Sequence, residues 1–159
     1  MKLLQTRKQF KPITKQALAK TGQITNVDEL CGVVSIAMLL QWCGYDAPFR
    51  KILKEMESSG AYVEGAGTYL GRTAKIFDNM HYIRYTPSLL MYLLSAGGKY
   101  AFAASIKRDD SSHIVFVYKY DRSRVYYYDP NLADSAQTMS HKKWNEVSNK
   151  RAAILRPIS

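Results

Sequence analysis

The sequence predicts an α+β domain, with helices gathered in the first half and an antiparallel sheet in the second. Two observations carry this expectation. Apolar residues recur at helical spacing up to about residue 96. From residue 100 the pattern changes to runs rich in aromatic and β-branched residues, as strands require. Helices first and strands second is the α+β order. The length of 159 residues is room for one domain, because a chain of this size buries roughly 70% of its unfolded surface around a single core. With 47% hydrophobic and 23% charged residues, a disordered chain and a fibrous repeat are excluded.

The elements follow in chain order. Residues 1–22 form a basic lead-in and 23–159 the domain proper. Residues 27–43 predict a helix apolar on nearly every face, stopped by Gly44. Asp28, Glu29, Ser35 and Gln41 interrupt its apolar run, which falls short of the ~20 residues that span a bilayer. It is therefore read as a buried central helix. Asp46-Ala47-Pro48 starts a helix over 48–57, with Phe49, Ile52, Leu53 and Met56 on one face. Residues 58–67 are a loop, 68–79 a third helix, 81–85 a short strand and 87–96 a fourth helix opened by Pro87. Three strands are expected over 100–107, 113–120 and 124–129, the last two joined by the turn-like Asp121-Arg122-Ser123. A short helix over 140–147 and a strand over 152–156 complete the chain.

The formal net charge is +10, and it is unevenly placed. Residues 1–20 carry six Lys or Arg and no acid, residues 139–159 carry five against Glu146, and residues 21–138 carry twelve of each sign. The basicity thus belongs to the two ends. Such ends either stay solvated or recruit an anionic surface or acidic partner. Residues 1–20 lack the apolar run of an export signal, so the expected location is the cytoplasm, or a target cell reached through a secretion system. Cys31 and Cys43, on one helix, lie about 18 Å apart along its axis, beyond the ~7 Å a disulfide tolerates. Both are expected as free thiols. Together with His81, His113 and His141 they show no metal-ligand spacing, so no metal and no cofactor is expected.

Three residues form a candidate catalytic set. Cys31 lies near the start of the central helix, where backbone N–H groups and the macrodipole favour a thiolate. Asp28 and Glu29 oppose this unless they cap the helix. His113 opens one strand and Asp129 ends the next. With the turn centred on 121–123, His113 lies opposite residue 129, 130 or 131, and directly opposed Cβ atoms are about 4.5–5.5 Å apart. Asp129, or alternatively Asn131, can then orient the imidazole, giving a nucleophile, a base and an orienter. Acyl transfer also needs oxyanion donors. The backbone N–H of Cys31 supplies one, and Gln23, or alternatively Asn26, the other. Cys43, beside Trp42, reads as a packing residue.

Two further patterns are set aside. Gly65-Ala66-Gly67-Thr68-Tyr69-Leu70-Gly71 resembles a dinucleotide loop, but no strand precedes it and its third glycine falls one position late. Tyr118, Tyr120, Tyr126, Tyr127 and Tyr128 could stack nucleic-acid bases, yet tyrosines in strands are ordinarily packing residues.

The run CGVVSIAMLLQWCGYD resembles the nucleophile helix of papain-like cysteine peptidases of the bacteriocin-processing, double-glycine type, which read Cys-Gly-Pro-x-Ser before an apolar helix. GTYLGRTAKIFDNM is similar to the helix that follows there. PSLLMYLLSAGGKYAFAASI is similar to the next helix, its glycine turn and the central strand, and SSHIVFVYKYDRSRVYYYDPN to the histidine strand, hairpin and Asp-Pro ending. The resemblance spans residues 23–131, and its ending is also similar to YopT-type effector proteases. Val33 stands where that family usually has Pro, and Gln23 lies eight rather than about six residues before the cysteine. The resemblance implies a papain-like fold, a central nucleophile helix packed on a C-terminal antiparallel sheet. It further implies Cys31 as nucleophile, His113 as base and then acid, and Asp129 as orienter.

The expected function is a thiol protease cleaving a peptide or isopeptide bond of a protein or peptide substrate through a thioester, in the setting of a bacterial toxin or effector. The same fold and triad also serve deamidases, transglutaminases and peptidoglycan amidases. A reading from another class is a non-catalytic module that docks through its basic ends.

Overall fold

The computed structural model describes residues 1–22, 29–96, 99–109, 111–132 and 135–158. Its helices are α1 (Lys15–Lys20), α2 (Cys31–Trp42), α3 (Phe49–Ser58), α4 (Leu70–Ile76), α5 (Pro87–Met91, continued by a π-turn over Tyr92–Ala96) and α6 (His141–Val147). A small hairpin pairs β1 (Tyr62–Val63) with β2 (Gly67–Thr68). The main sheet holds β3 (His81–Arg84), β4 (Ala101–Arg108), β5 (Ser111–Tyr120), β6 (Arg124–Tyr128), β7 (Gln137–Ser140) and β8 (Ser148–Leu155). Its spatial order is β3-β8-β4-β5-β6-β7, with neighbours antiparallel.

Packing rather than propensity holds α2, since helices of this length are marginal alone. Val33, Val34, Ile36, Ala37, Met38, Leu39 and Leu40 are all buried. Full burial of each Leu or Ile contributes about 1.5–3 kcal/mol relative to exposure. The helix lies on one sheet face, in a core that includes Ala101, Ala103 and Ala153, whose small side chains let it approach. The opposite face packs Phe102, Val115, Val117 and Ile154 against Leu90 of α5 and Trp144 of α6. The end of α2 is a Schellman stop: Gly44 takes φ +99°, its N–H donates to Gln41, and the Tyr45 N–H donates to Leu40.

The differences from the sequence expectation have local causes. Gly67 and Thr68 pair with β1, so the loop expected over 58–67 contains a hairpin and α4 begins later than residue 68. β8 begins at Ser148, earlier than expected, because its first half pairs with both β3 and β4. The basic lead-in packs on the body instead of projecting as a solvated arm. Leu3 and Leu18 are buried in the core, and Thr6 N–H and Asp46 N–H bond across to Gly44 and Leu4. Phe10 lies edge-on to Trp42 and against Phe116 and Tyr128. No helix among the described residues is long and apolar enough to cross a membrane.

Candidate active site

Cys31 is the first residue of α2, so its backbone N–H lies in the turn that has no intrahelical acceptor. Its N-cap, Leu30, makes no side-chain capping bond. Glu29 turns away from it, its Oε2 accepting from Gly65 N–H at 2.7 Å and from the Tyr62 hydroxyl at 3.3 Å. The carboxylate thus ties down the β1–β2 hairpin, and the glycines of the dinucleotide-like segment serve as turn residues, with Gly65 at φ +85° and Gly67 at φ +102°. A side chain at Gly32 would force Thr68 to shift. A Cβ there would lie 2.2 Å from Thr68 Oγ1 and 2.3 Å from Thr68 Cβ. The glycine after the cysteine is therefore what lets β2 press against the first turn of α2.

His113 is buried on β5, and its Nε2 lies 2.6 Å from Asp129 Oδ1. Its other nitrogen is left for Cys31, and the thiol and the ring perturb each other's titration. β5 fastens α2 at the adjacent residue, where the Ile114 carbonyl accepts from Ser35 Oγ at 3.0 Å. β5 and β6 pair Phe116 with Tyr128 and Val117 with Tyr127, with an irregularity at Tyr118. Asp129 follows directly on β6 and reaches His113 as the chain turns at Pro130. Asn131 does not replace it. Its N–H donates to Asp129 Oδ1 at 2.9 Å, and its carbonyl accepts from Gln16 Nε2 at 2.6 Å. The structure thus brings Cys31, His113 and Asp129 together, while Gln23 and Asn26 lie outside the described residues. Cys43, buried at the far end of α2, directs its Sγ toward the Leu155 carbonyl at 3.6 Å.

The electrostatics draw the Cys31 and His113 titrations toward each other. Burial opposes a thiolate at Cys31, but the hydrogen bond and charge of His113, the Ile114 N–H and the Lys15 charge outweigh it and lower the thiol pKa. Burial likewise opposes an imidazolium, yet Asp129 and Cys31 raise the His113 pKa. Asp129 is held below the usual carboxylate value despite its burial, by His113, the Asn131 N–H and Arg108. Burial alone pushes Cys43 up to about 12. Two of these contributors escape sequence reasoning. Arg108 Nη2 lies 3.3 Å from Asp129 Oδ2, and the buried Lys15 bonds the Pro130 carbonyl through its N–H at 2.8 Å. The β4–β5 register, pairing Ile106 with His113 and Arg108 with Ser111, is the signal that could have found Arg108. Nothing local in the sequence points to Lys15.

A cleft of about 920 Å³ opens from Cys31 between the β2–α4 segment and the sheet, lined among others by Thr68, Arg72, Lys75, Tyr82, Ser105 and Arg151. No protein-family model matches the chain, and no curated protein does. Solved structures do. The peptidase domain of Streptococcus ComA, a bi-functional ABC transporter of a quorum-sensing pathway, is 18% identical with a TM-score of 0.64, covering 93% of this chain and 99% of that one. A double-glycine motif protease from an AMS/PCAT transporter, in complex with its leader peptide, is 17% identical with a TM-score of 0.57, covering 85% and 90%. A C39-like peptidase from Bacillus anthracis is 17% identical with a TM-score of 0.62, covering 83% and 91%. The chain has the papain-like α+β fold of the double-glycine peptidase domains.

Proposed function

We propose that this chain is a papain-like cysteine peptidase acting on a polypeptide. The observation that carries this reading is the Cys31–His113–Asp129 series, with its 2.6 Å His113–Asp129 contact and a thiol pKa lowered by the imidazole. The Cys31 thiolate attacks the scissile carbonyl carbon, and the carbonyl electron pair moves onto oxygen beside the Cys31 backbone N–H. Collapse of the tetrahedral species expels the amine, which takes its proton from His113 and leaves a thioester on Sγ. His113, now neutral, removes a proton from water as that water attacks the thioester. The acid is released and Cys31 is restored as the thiolate. Asp129 keeps its charge throughout and holds the ring. A polypeptide substrate is supported by the likeness to the double-glycine motif protease solved with a leader peptide.

The test pairs labelling with chemistry. Iodoacetamide should modify Cys31 far ahead of Cys43, and peptide hydrolysis should vanish in Cys31→Ala. Equal labelling of the two cysteines would sink the proposal. Ammonia release without chain cleavage would replace it with a deamidase or transglutaminase on the same triad, and release of cell-wall fragments with an amidase. Partner binding indifferent to Cys31→Ala, with no turnover, would point to a docking module.

A further inference from the structure

The cleft that opens from Cys31 is basic. Arg72 and Lys75 of α4 and Arg151 of β8 line it, against a single lining carboxylate among the described residues, Glu29. Glu29 is already engaged by Gly65 N–H and the Tyr62 hydroxyl. Arg72 is held in place, its Nη1 donating to the Gly60 carbonyl at 3.1 Å and its guanidinium 4.3 Å over the Tyr69 ring. Neither contact neutralises its charge. Arg151 stands directly opposite Arg84 across β3 and β8, a like-charge pair that disfavours the folded sheet. The salt bridges of the described residues involve none of these four cations. Among the described residues no carboxylate neutralises these charges, whereas an anionic occupant of the cleft would.

The position of the cleft says which part of a substrate it meets. Its lining includes Cys31 but neither His113 nor Asp129. The leaving amine must lie against His113, which protonates it, so the cleft takes the acyl portion.

We propose that Arg72, Lys75 and Arg151 select polypeptides with acidic side chains on the acyl side of the scissile bond, N-terminal to the cut. This rests on the peptidase reading of Cys31. Clefts lined by one sign of charge concentrate the opposite sign and speed association by about 10- to 1000-fold, and salt weakens the effect.

The test uses three peptidyl acyloxymethyl ketones that place Ala next to the reactive carbon and Glu, Gln or Lys at the three preceding positions. Cys31 labelling should run in the order Glu, Gln, Lys, with Glu at least about tenfold ahead of Lys at low salt. The gap should close at about 0.5 M salt, where the Debye length is only a few ångströms. In Lys75→Glu, a change on an exposed side chain, and in Arg151→Gln, the Glu-to-Lys ratio should shrink. Equal rates for the Glu and Lys probes, or a faster Lys probe, overturn the proposal while iodoacetamide still prefers Cys31 over Cys43. If iodoacetamide shows no such preference and no ketone labels Cys31, the peptidase reading falls and this one with it.

Discussion

At the scale of single residues, the two cysteines are a built-in comparison. They sit at the two ends of α2, yet one thiol pKa is lowered and the other is pushed up to about 12. The cause is position, because only Cys31 meets His113 and the Ile114 N–H. Lowering Cys31 and raising His113 brings the two titrations toward each other and so favours the thiolate beside the imidazolium. Alkylation of Cys31 should therefore persist to lower pH than alkylation of an ordinary thiol, while Cys43 stays unmodified. His113→Asn removes the ring's charge, so the alkylation midpoint should move to higher pH. A midpoint unmoved by that change would mean the imidazole does not govern the thiol.

Arg108 is also a matter of one residue. It shares Asp129 with His113, contacting Oδ2 while the ring contacts Oδ1. Arg108→Gln should loosen the carboxylate and lower kcat several-fold. It should also leave more of the Asp129 charge facing His113, so the imidazolium persists to higher pH and the alkaline limb of the rate profile moves up. A fall in rate with an unmoved alkaline limb would make Arg108 a structural contact only.

At the scale of elements, the junction of α2 with β2 and β5 decides whether the nucleophile is in place. Gly32→Ala should destabilise the fold by about 1–3 kcal/mol, as overpacking does, because the new Cβ meets both Thr68 Cβ and Oγ1. Thr68→Ser keeps the obstructing Cβ and should not rescue it, whereas Thr68→Gly should, as read by thermal melts of the double variants. The elements also show what a sequence can reveal. α2 is legible because its apolar run is long and Gly44 ends it, and the β5–β6 hairpin because a short turn fixes its register near His113. α1, the β1–β2 hairpin and β7 are too short for periodicity to register. The insertion of β8 between β3 and β4 is a long-range pairing that no local pattern encodes. For the same reason Cys31, His113 and Asp129 can be singled out from the sequence, while Lys15 and Arg151 cannot.

At the scale of the whole molecule, counting charge by segment and counting it in space give different pictures. Along the chain the basic ends flank a neutral middle. In the fold, β8 carries Arg151 from the basic tail to the cleft wall, and α1 carries Lys15 from the lead-in to the side of Pro130. The lead-in is therefore part of the site's surroundings and of the core. Leu3 and Leu18 are buried, and Phe10 covers an aromatic group of Trp42, Phe116 and Tyr128. The two buried leucines contribute about 1.5–3 kcal/mol each, and with the half-buried Phe10 they are a large share of the ~5–15 kcal/mol that holds a domain folded. Residues 23–159 made without the lead-in should thus melt at markedly lower temperature or fail to fold. Phe10→Ala in the full chain should cost about 2 kcal/mol or more without touching Cys31 directly. A shortened chain that melts like the full one would show that 23–159 folds by itself and that the lead-in only covers it.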